Sequence, residues 1–214
     1  MKQIELVIFD FDGTLVDTAP DLIRSANLYL ESQGFDALPE ERIRSEIGMG
    51  LRKLILDIYP GKDANDDDHR RRIEGEFMSV YEREFLTSPR LFDGALDFLT
   101  EWEGSIAIVS NKRIRFIHPI LEKLAIHTLP WARIVGGDSY LKMKPHPEPF
   151  LGAMTAAGVT PEETLIVGDG VPMWKAPWLW AASVWPWNSA THPPNNLWIS
   201  ELGKHCPVLI CYCP

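Results

Sequence analysis

The chain is short of cysteine, of positive charge and of long apolar runs. Its three cysteines, Cys206, Cys211 and Cys213, all fall in the last nine of 214 residues, so no disulfide framework holds the body together. Lysine and arginine number 21 against 30 acidic residues, a net charge of −9. The basic stripe that a polynucleotide backbone requires is missing, which sets nucleic acid aside as a partner. A small phosphorylated ligand is not excluded, because a bound metal ion can reverse the local sign of a site. The opening Met1-Lys2-Gln3 runs directly into Ile4–Phe9, too short for a signal peptide or a membrane span, so the expected compartment is the cytoplasm, with no membrane partner. The six histidines, His69, His118, His127, His146, His192 and His205, fall into no HxxxH or HxH spacing, which argues against a histidine metal site. Internal repeats and low-complexity tracts are absent as well.

What is present is enough for a packed core, since 45% of the residues are hydrophobic. The length suits one domain, or a core carrying a smaller insert. Three short apolar runs each end in a polar residue and a turn: Ile4–Phe9 before Asp10, Ser105–Val109 before Ser110, and Thr164–Val167 before Gly168-Asp169. Such unbroken runs, rich in β-branched residues, read as strands buried on both faces of a parallel sheet. Helical patterns over 113–124 and 148–157 alternate with the later strands, which predicts an α/β fold with right-handed crossovers. Ligands in such sheets bind beyond the carboxyl ends of the strands, where Asp10, Ser110 and Asp169 would lie. Between Leu15 and Pro89 the pattern changes to helix after helix, over 20–33, 39–47, 51–58 and 66–85. An all-helical insert at that point reads as a cap over the site.

Asp10-Phe11-Asp12-Gly13-Thr14-Leu15 carries the most chemical information. Two carboxylates leaving a buried strand need partners or a metal, because buried charge is costly. Gly13 permits the sharp turn that must follow. One reading divides labour between a nucleophile and a general acid/base around a divalent cation. The other is an acidic strand end holding a structural cation.

This hexapeptide resembles the first motif, DxDGT(L/V), of the haloacid dehalogenase superfamily, and the resemblance runs from residue 4 to residue 170. Val109-Ser110-Asn111 resembles the second motif, Lys144 in Lys142-Met143-Lys144-Pro145 the third, and Gly168-Asp169 the start of the fourth. Asp12 sets aside the dehalogenase branch, which lacks a second aspartate, and favours phosphoryl transfer. Val16–Leu22, Ile47-Gly48-Met49-Gly50, and Gly136-Gly137-Asp138 ahead of Lys144–Pro149 resemble the phosphoglycolate phosphatase group. β-Phosphoglucomutases, pyrophosphatases and nucleotidases share the same plan.

The resemblance implies a Rossmann-like parallel core over residues 1–15 and 90–171, with an inserted helical cap over 16–89. It implies that Asp10 attacks phosphorus and that Asp12 protonates the leaving group. It further implies Mg²⁺ held by Asp10, the Asp12 carbonyl and Asp169, and a phosphoryl group bound by Ser110, Asn111 and Lys144, with Thr14 beside them. The expected partner is a small phosphorylated metabolite, and the expected assembly a monomer or homodimer. Arg52 and Lys53, next to Gly48-Met49-Gly50, are read either as the cap surface that meets substrate or as an exposed helix face.

One break in composition stands out. From Gly170 onward there is a single acidic residue, Glu201, yet six of the eight tryptophans and seven of the 17 prolines. The fourth motif of the superfamily carries a second acid four residues after Asp169, where this chain has Met173. Met and Trp have one codon each, so Met173-Trp174 is ATG TGG. If the codon of Pro172 ends in G, a frame one base earlier reads Asp-Val, with the aspartate in the position of Met173. We therefore read residues 172–214 as a tail translated out of frame.

Overall fold

The computed structural model describes residues 3–60, 66–168 and the backbone of 183–185. Strand β1 (Leu6–Phe9) is followed by a two-residue strand, β2 (Val16–Asp17), and four helices: α1 (Ala19–Ser32), α2 (Glu40–Arg44), α3 (Leu51–Ile58) and α4 (Asp67–Glu84). The chain returns through β3 (Arg90–Leu91), which pairs antiparallel with β2, and α5 (Ala95–Glu101). It then alternates: β4 (Ser105–Val109), α6 (Ile114–Lys123), β5 (Trp131–Val135), α7 (Glu148–Ala157), β6 (Thr164–Val167) and β7 (Ser183–Trp185).

The five longer strands form one parallel sheet in the order β5-β4-β1-β6-β7. Side chains alternate across a strand, and here both faces are buried, which explains the unbroken apolar runs. Val7, Phe9, Ile106, Ile108, Leu165 and Val167 pack with Phe98 and Leu99 of α5 and Ile117, Ile120 and Leu121 of α6. Leu6, Ile8, Ala107, Val109 and Ile166 face the other way, against Phe150, Ala153 and Met154 of α7. The expected α/β class with a Rossmann-like parallel sheet and a helical insert is the observed one.

The helices α1, α3 and α4 enclose an apolar core of their own. Leu22, Ala26, Tyr29 and Leu30 meet Leu54, Ile55 and Ile58, and Ile73, Phe77 and Tyr81. Asp66 caps α4 by accepting a hydrogen bond from the His69 amide at 2.9 Å, and Asp67 and Asp68 occupy the positive first turn. Two links steady the two passages of chain between the sheet and the helices. Asp17 accepts from Arg90 Nη2 (2.8 Å) and Nε (3.1 Å) across the β2–β3 ribbon, and buried Asp21 accepts from both the amide (3.1 Å) and the hydroxyl (2.6 Å) of Ser88.

Several elements differ from the sequence expectation. Helix α2 stops at Arg44 rather than Ile47, because bonds from Glu46 N to Ile43 O and from Ile47 N to Arg44 O tighten its end into turns. Strand β5 went unread because it lies at the sheet edge and buries few of its side chains. Helix α5 and the β2–β3 ribbon were missed because they are too short for a periodic signal. The tail from Pro172 lies outside the described residues, apart from the backbone of 183–185.

Candidate active site

Strand β1 ends at Phe9, and the Asp10 amide continues the ladder by donating to Val167 O at 2.8 Å. The chain then reverses at Gly13, whose φ of 81° carries no β-carbon penalty, and Gly13 N donates to Val16 O at 3.0 Å. Strand β4 ends at Val109, with the Ser110 amide donating to Val135 O at 2.9 Å. Asp10, Asp12 and Ser110 thus arrive together at the carboxyl ends of two adjacent strands. They line one pocket with Lys112, and the helical insert roofs it with Leu22, Ile47, Leu51, Leu54 and the two glycines Gly48 and Gly50.

Two buried lysines face two aspartates there. Lys144 is 2% exposed, and its Nζ lies 2.7 Å from Asp10 Oδ2. The two form an ion pair, and the ammonium has no further partner among the described residues. Lys112 is 3% exposed and donates to Asp12 Oδ1 at 3.0 Å and to the Tyr81 hydroxyl at 2.7 Å. Desolvating an ion costs several kcal/mol, roughly what a good partner returns, so charges kept in an interior point to chemistry rather than to stability.

The electrostatics follow from burial. Burial pushes the Asp10 carboxyl above its usual range, outweighing the Lys144 ammonium and the Phe11 amide that donates to Oδ1 at 2.6 Å. Burial pulls Lys112 down, but the Asp12 carboxylate and Tyr81 outweigh it and hold the ammonium above the usual lysine range. Burial raises the Tyr81 phenol to about 12, so it stays protonated at neutral pH.

Asp10 and Asp12 present hard oxygen donors, the kind Mg²⁺ takes. Burial is the main cause of the raised pKa of Asp10, so a cation beside it would favour its charged form. The residues present therefore fit the cation, although no group of three or more metal-ligating side chains stands together among the described residues. Asp169, the expected third ligand, lies outside them.

Other expected site residues take different places. Arg52 is exposed and pairs with Glu74 at 3.5 Å, and exposed Lys53 pairs with Asp57 one turn on. Neither lines the pocket, because α3 turns Leu51 and Leu54 inward and these two outward. Asn111 is buried, and its amide nitrogen donates to Gly48 O (3.2 Å) and Lys144 O (3.3 Å), tying the helical roof to the Lys144 loop. Thr14 is buried at 4% exposure and does not line the pocket. Sequence reasoning missed Lys112. The available signal was a lysine two residues after the strand-end Ser110.

Gly137 explains how this loop is held. Its amide donates to Lys112 O at 2.8 Å, and a β-carbon there would lie 2.3 Å from the Asn111 backbone oxygen. The obstacle is backbone, which cannot swing aside. Gly137→Ala should therefore lower stability by about 3 kcal/mol, read as a reduced urea midpoint. An unchanged midpoint would show that the two loops do not need this close approach.

The family model for haloacid dehalogenase-like hydrolase matches residues 7–172. A phosphoglycolate phosphatase from Nitrosococcus oceani is 31% identical over 183 residues, covering 82% of this chain and 80% of its own. An N-acetylmuramic acid 6-phosphate phosphatase from Pseudomonas putida is 32% identical over 170 residues, covering 78% and 75%. The crystal structure of a predicted phosphoglycolate phosphatase from Haemophilus somnus 129pt superposes with a TM-score of 0.75 at 28% identity, covering 86% of this chain and 85% of that one. The chain belongs to the haloacid dehalogenase-like hydrolase family. Within it, it stands in the phosphatase branch, among relatives named phosphoglycolate phosphatase.

Proposed function

We propose that this protein is a Mg²⁺-dependent phosphomonoester hydrolase acting through an aspartyl-phosphate. The observation that carries this reading is Asp10 at the end of the central strand, with the Lys144 ammonium 2.7 Å away and Asp12 in the same pocket. An Asp10 carboxylate oxygen attacks phosphorus in line, and the bond from phosphorus to the ester oxygen breaks. Asp12 gives a proton to the departing alkoxide. A water then loses a proton to Asp12 and attacks the same phosphorus, releasing phosphate and restoring Asp10. Ser110 and Lys144 hold the equatorial oxygens where charge gathers. The Asp10 carboxylate, the Asp12 carbonyl and Asp169 would hold Mg²⁺, which would offset the negative charge of the phosphoryl group. The helical roof excludes water and selects the leaving group.

The substrate of this reading is a small phosphometabolite in the phosphoglycolate size range, met in the cytoplasm by a monomer or homodimer. The acidic net charge of −9 supports a small anion screened by a cation over a nucleic acid. A panel of phosphate esters, with p-nitrophenyl phosphate as reporter, tests it. Hydrolysis should cease in EDTA and return with Mg²⁺ but not with Ca²⁺, whose looser and larger coordination spoils an in-line geometry. Full activity in chelator would refute the metal requirement.

A second reading is carried by Met173. A chain lacking the second acid of the fourth motif would bind phosphate with little turnover. Saturable phosphate binding without Mg²⁺-dependent release from p-nitrophenyl phosphate would select it.

A further inference from the structure

The mechanism above makes no use of Lys112, although it is one of the most deeply buried charges in the described structure. Its ammonium has two partners on different parts of the fold. One is Asp12 Oδ1, at 3.0 Å, and the other is the hydroxyl of Tyr81, at 2.7 Å, on helix α4 of the helical insert. Both ends of the contact are rigid. The Lys112 amide donates to Ser110 Oγ at 3.1 Å, and its carbonyl accepts from Gly137 N at 2.8 Å. Tyr81 is fully buried, with its ring edge-on to Phe116 at 5.0 Å, stacked near Phe77 at 6.4 Å and tilted against Phe85 at 5.8 Å.

The division of the Asp12 carboxylate follows from these contacts. Oδ1 accepts from both Lys112 Nζ and the Thr18 hydroxyl, where the chain enters the insert. Oδ2 has no hydrogen-bond partner among the described residues, and Asp12 lines the pocket. The carboxylate is therefore clamped by one oxygen and offers the other to the ligand. One of the two clamping groups is itself held by the insert.

We infer that Lys112 and Tyr81 are a positioning pair that aims Asp12 at the leaving-group oxygen once the helical insert is seated on the sheet. The inference rests on the phosphatase reading, and it adds two residues to the reaction that act only through Asp12. Seating the insert brings the Tyr81 hydroxyl to Lys112, and Lys112 then fixes the rotamer of the acid. A substrate would thus meet an aimed proton donor only in the closed pocket.

Leaving-group dependence tests this in the full-length chain. Because kcat/KM includes steps only as far as the first irreversible one, it reads the proton donation by Asp12 and not the later attack of water. An alkyl phosphate needs that proton, whereas p-nitrophenolate leaves without it. Tyr81→Phe keeps the ring and its packing and removes only the hydroxyl. It should lower kcat/KM about 10-fold or more for 2-phosphoglycolate or another alkyl ester the protein hydrolyses, and less than about 3-fold for p-nitrophenyl phosphate. Lys112→Met should show the same asymmetry, enlarged. Arg113→Gln serves as the comparison, because it removes an ion pair between sheet loop and insert (Arg113 to Glu74, 2.7 Å) without touching Asp12. It should change both substrates by the same factor. Equal losses on both esters in Tyr81→Phe, or no loss, would overturn the assignment while leaving the phosphatase reading intact. Failure of both Tyr81→Phe and Lys112→Met to fold would also overturn it, by making the pair purely structural. A parent chain that hydrolyses neither ester in Mg²⁺ would remove the phosphatase reading and this inference with it.

Discussion

Asp10→Asn should abolish turnover and leave the fold standing. An amide cannot form the acyl phosphate, so the whole covalent route closes rather than slowing. The expected loss in kcat is at least about 10³-fold, equivalent to about 4 kcal/mol of transition-state stabilisation. The side chain keeps its shape, so the Phe11 amide, now 2.6 Å from Oδ1, keeps an acceptor. Lys144 loses its counter-charge, which costs about 3–5 kcal/mol. A domain in the middle of the ordinary stability range of about 5–15 kcal/mol remains folded after that loss. Circular dichroism and a thermal melt check the fold, and binding of inorganic phosphate checks that Ser110 and Lys144 still hold the anion. Turnover within tenfold of the parent would sink the nucleophile assignment.

The second large effect is expected from the gene. Reading the DNA beyond codon 172 in the frame one base earlier should give an open frame beginning Asp-Val. The family match ends at residue 172, beside Met173 and at the onset of the stretch rich in tryptophan and proline. A chain translated in that frame regains the acid that supports the metal and its water ligands. Groups of this supporting kind are worth about 10- to 100-fold in metal affinity or activity, so the repaired chain should exceed the present one by at least that factor. It should also aggregate less, because the stretch rich in tryptophan and proline would be replaced. Stop codons soon after codon 172 in the alternative frame would show the tail to be the protein's own.

The chemistry legible in the sequence is the part that short stretches of backbone determine. A β-branched run between polar ends is buried on both faces wherever it packs, so β1, β4 and β6 could be placed before any partner was known. A strand followed by Asp10-Phe11-Asp12-Gly13 must turn sharply and carry both acids to the strand end, because Gly13 alone tolerates φ of 81° there. Edge strand β5 escaped notice, since it buries too little to leave a pattern.

Side-chain destinations across long sequence separations belong to the tertiary structure. Arg52 and Lys53 lie beside the right glycines, yet the rotation of α3 about its axis turns them to Glu74 and Asp57 and sends Leu51 and Leu54 into the pocket. Asn111 follows the strand-end Ser110, yet its amide nitrogen meets the carbonyls of Gly48 and Lys144. Lys112 is one surface-type residue in the sequence until the packing of α4 delivers Tyr81 to it and the β1 loop delivers Asp12. By itself, then, the sequence determined the sheet and the placing of Asp10 and Asp12 at the end of its central strand, because turn chemistry and strand burial are local. Only the tertiary structure decided which cations face the site, because the destination of a long side chain depends on which elements pack around it and leave it no water.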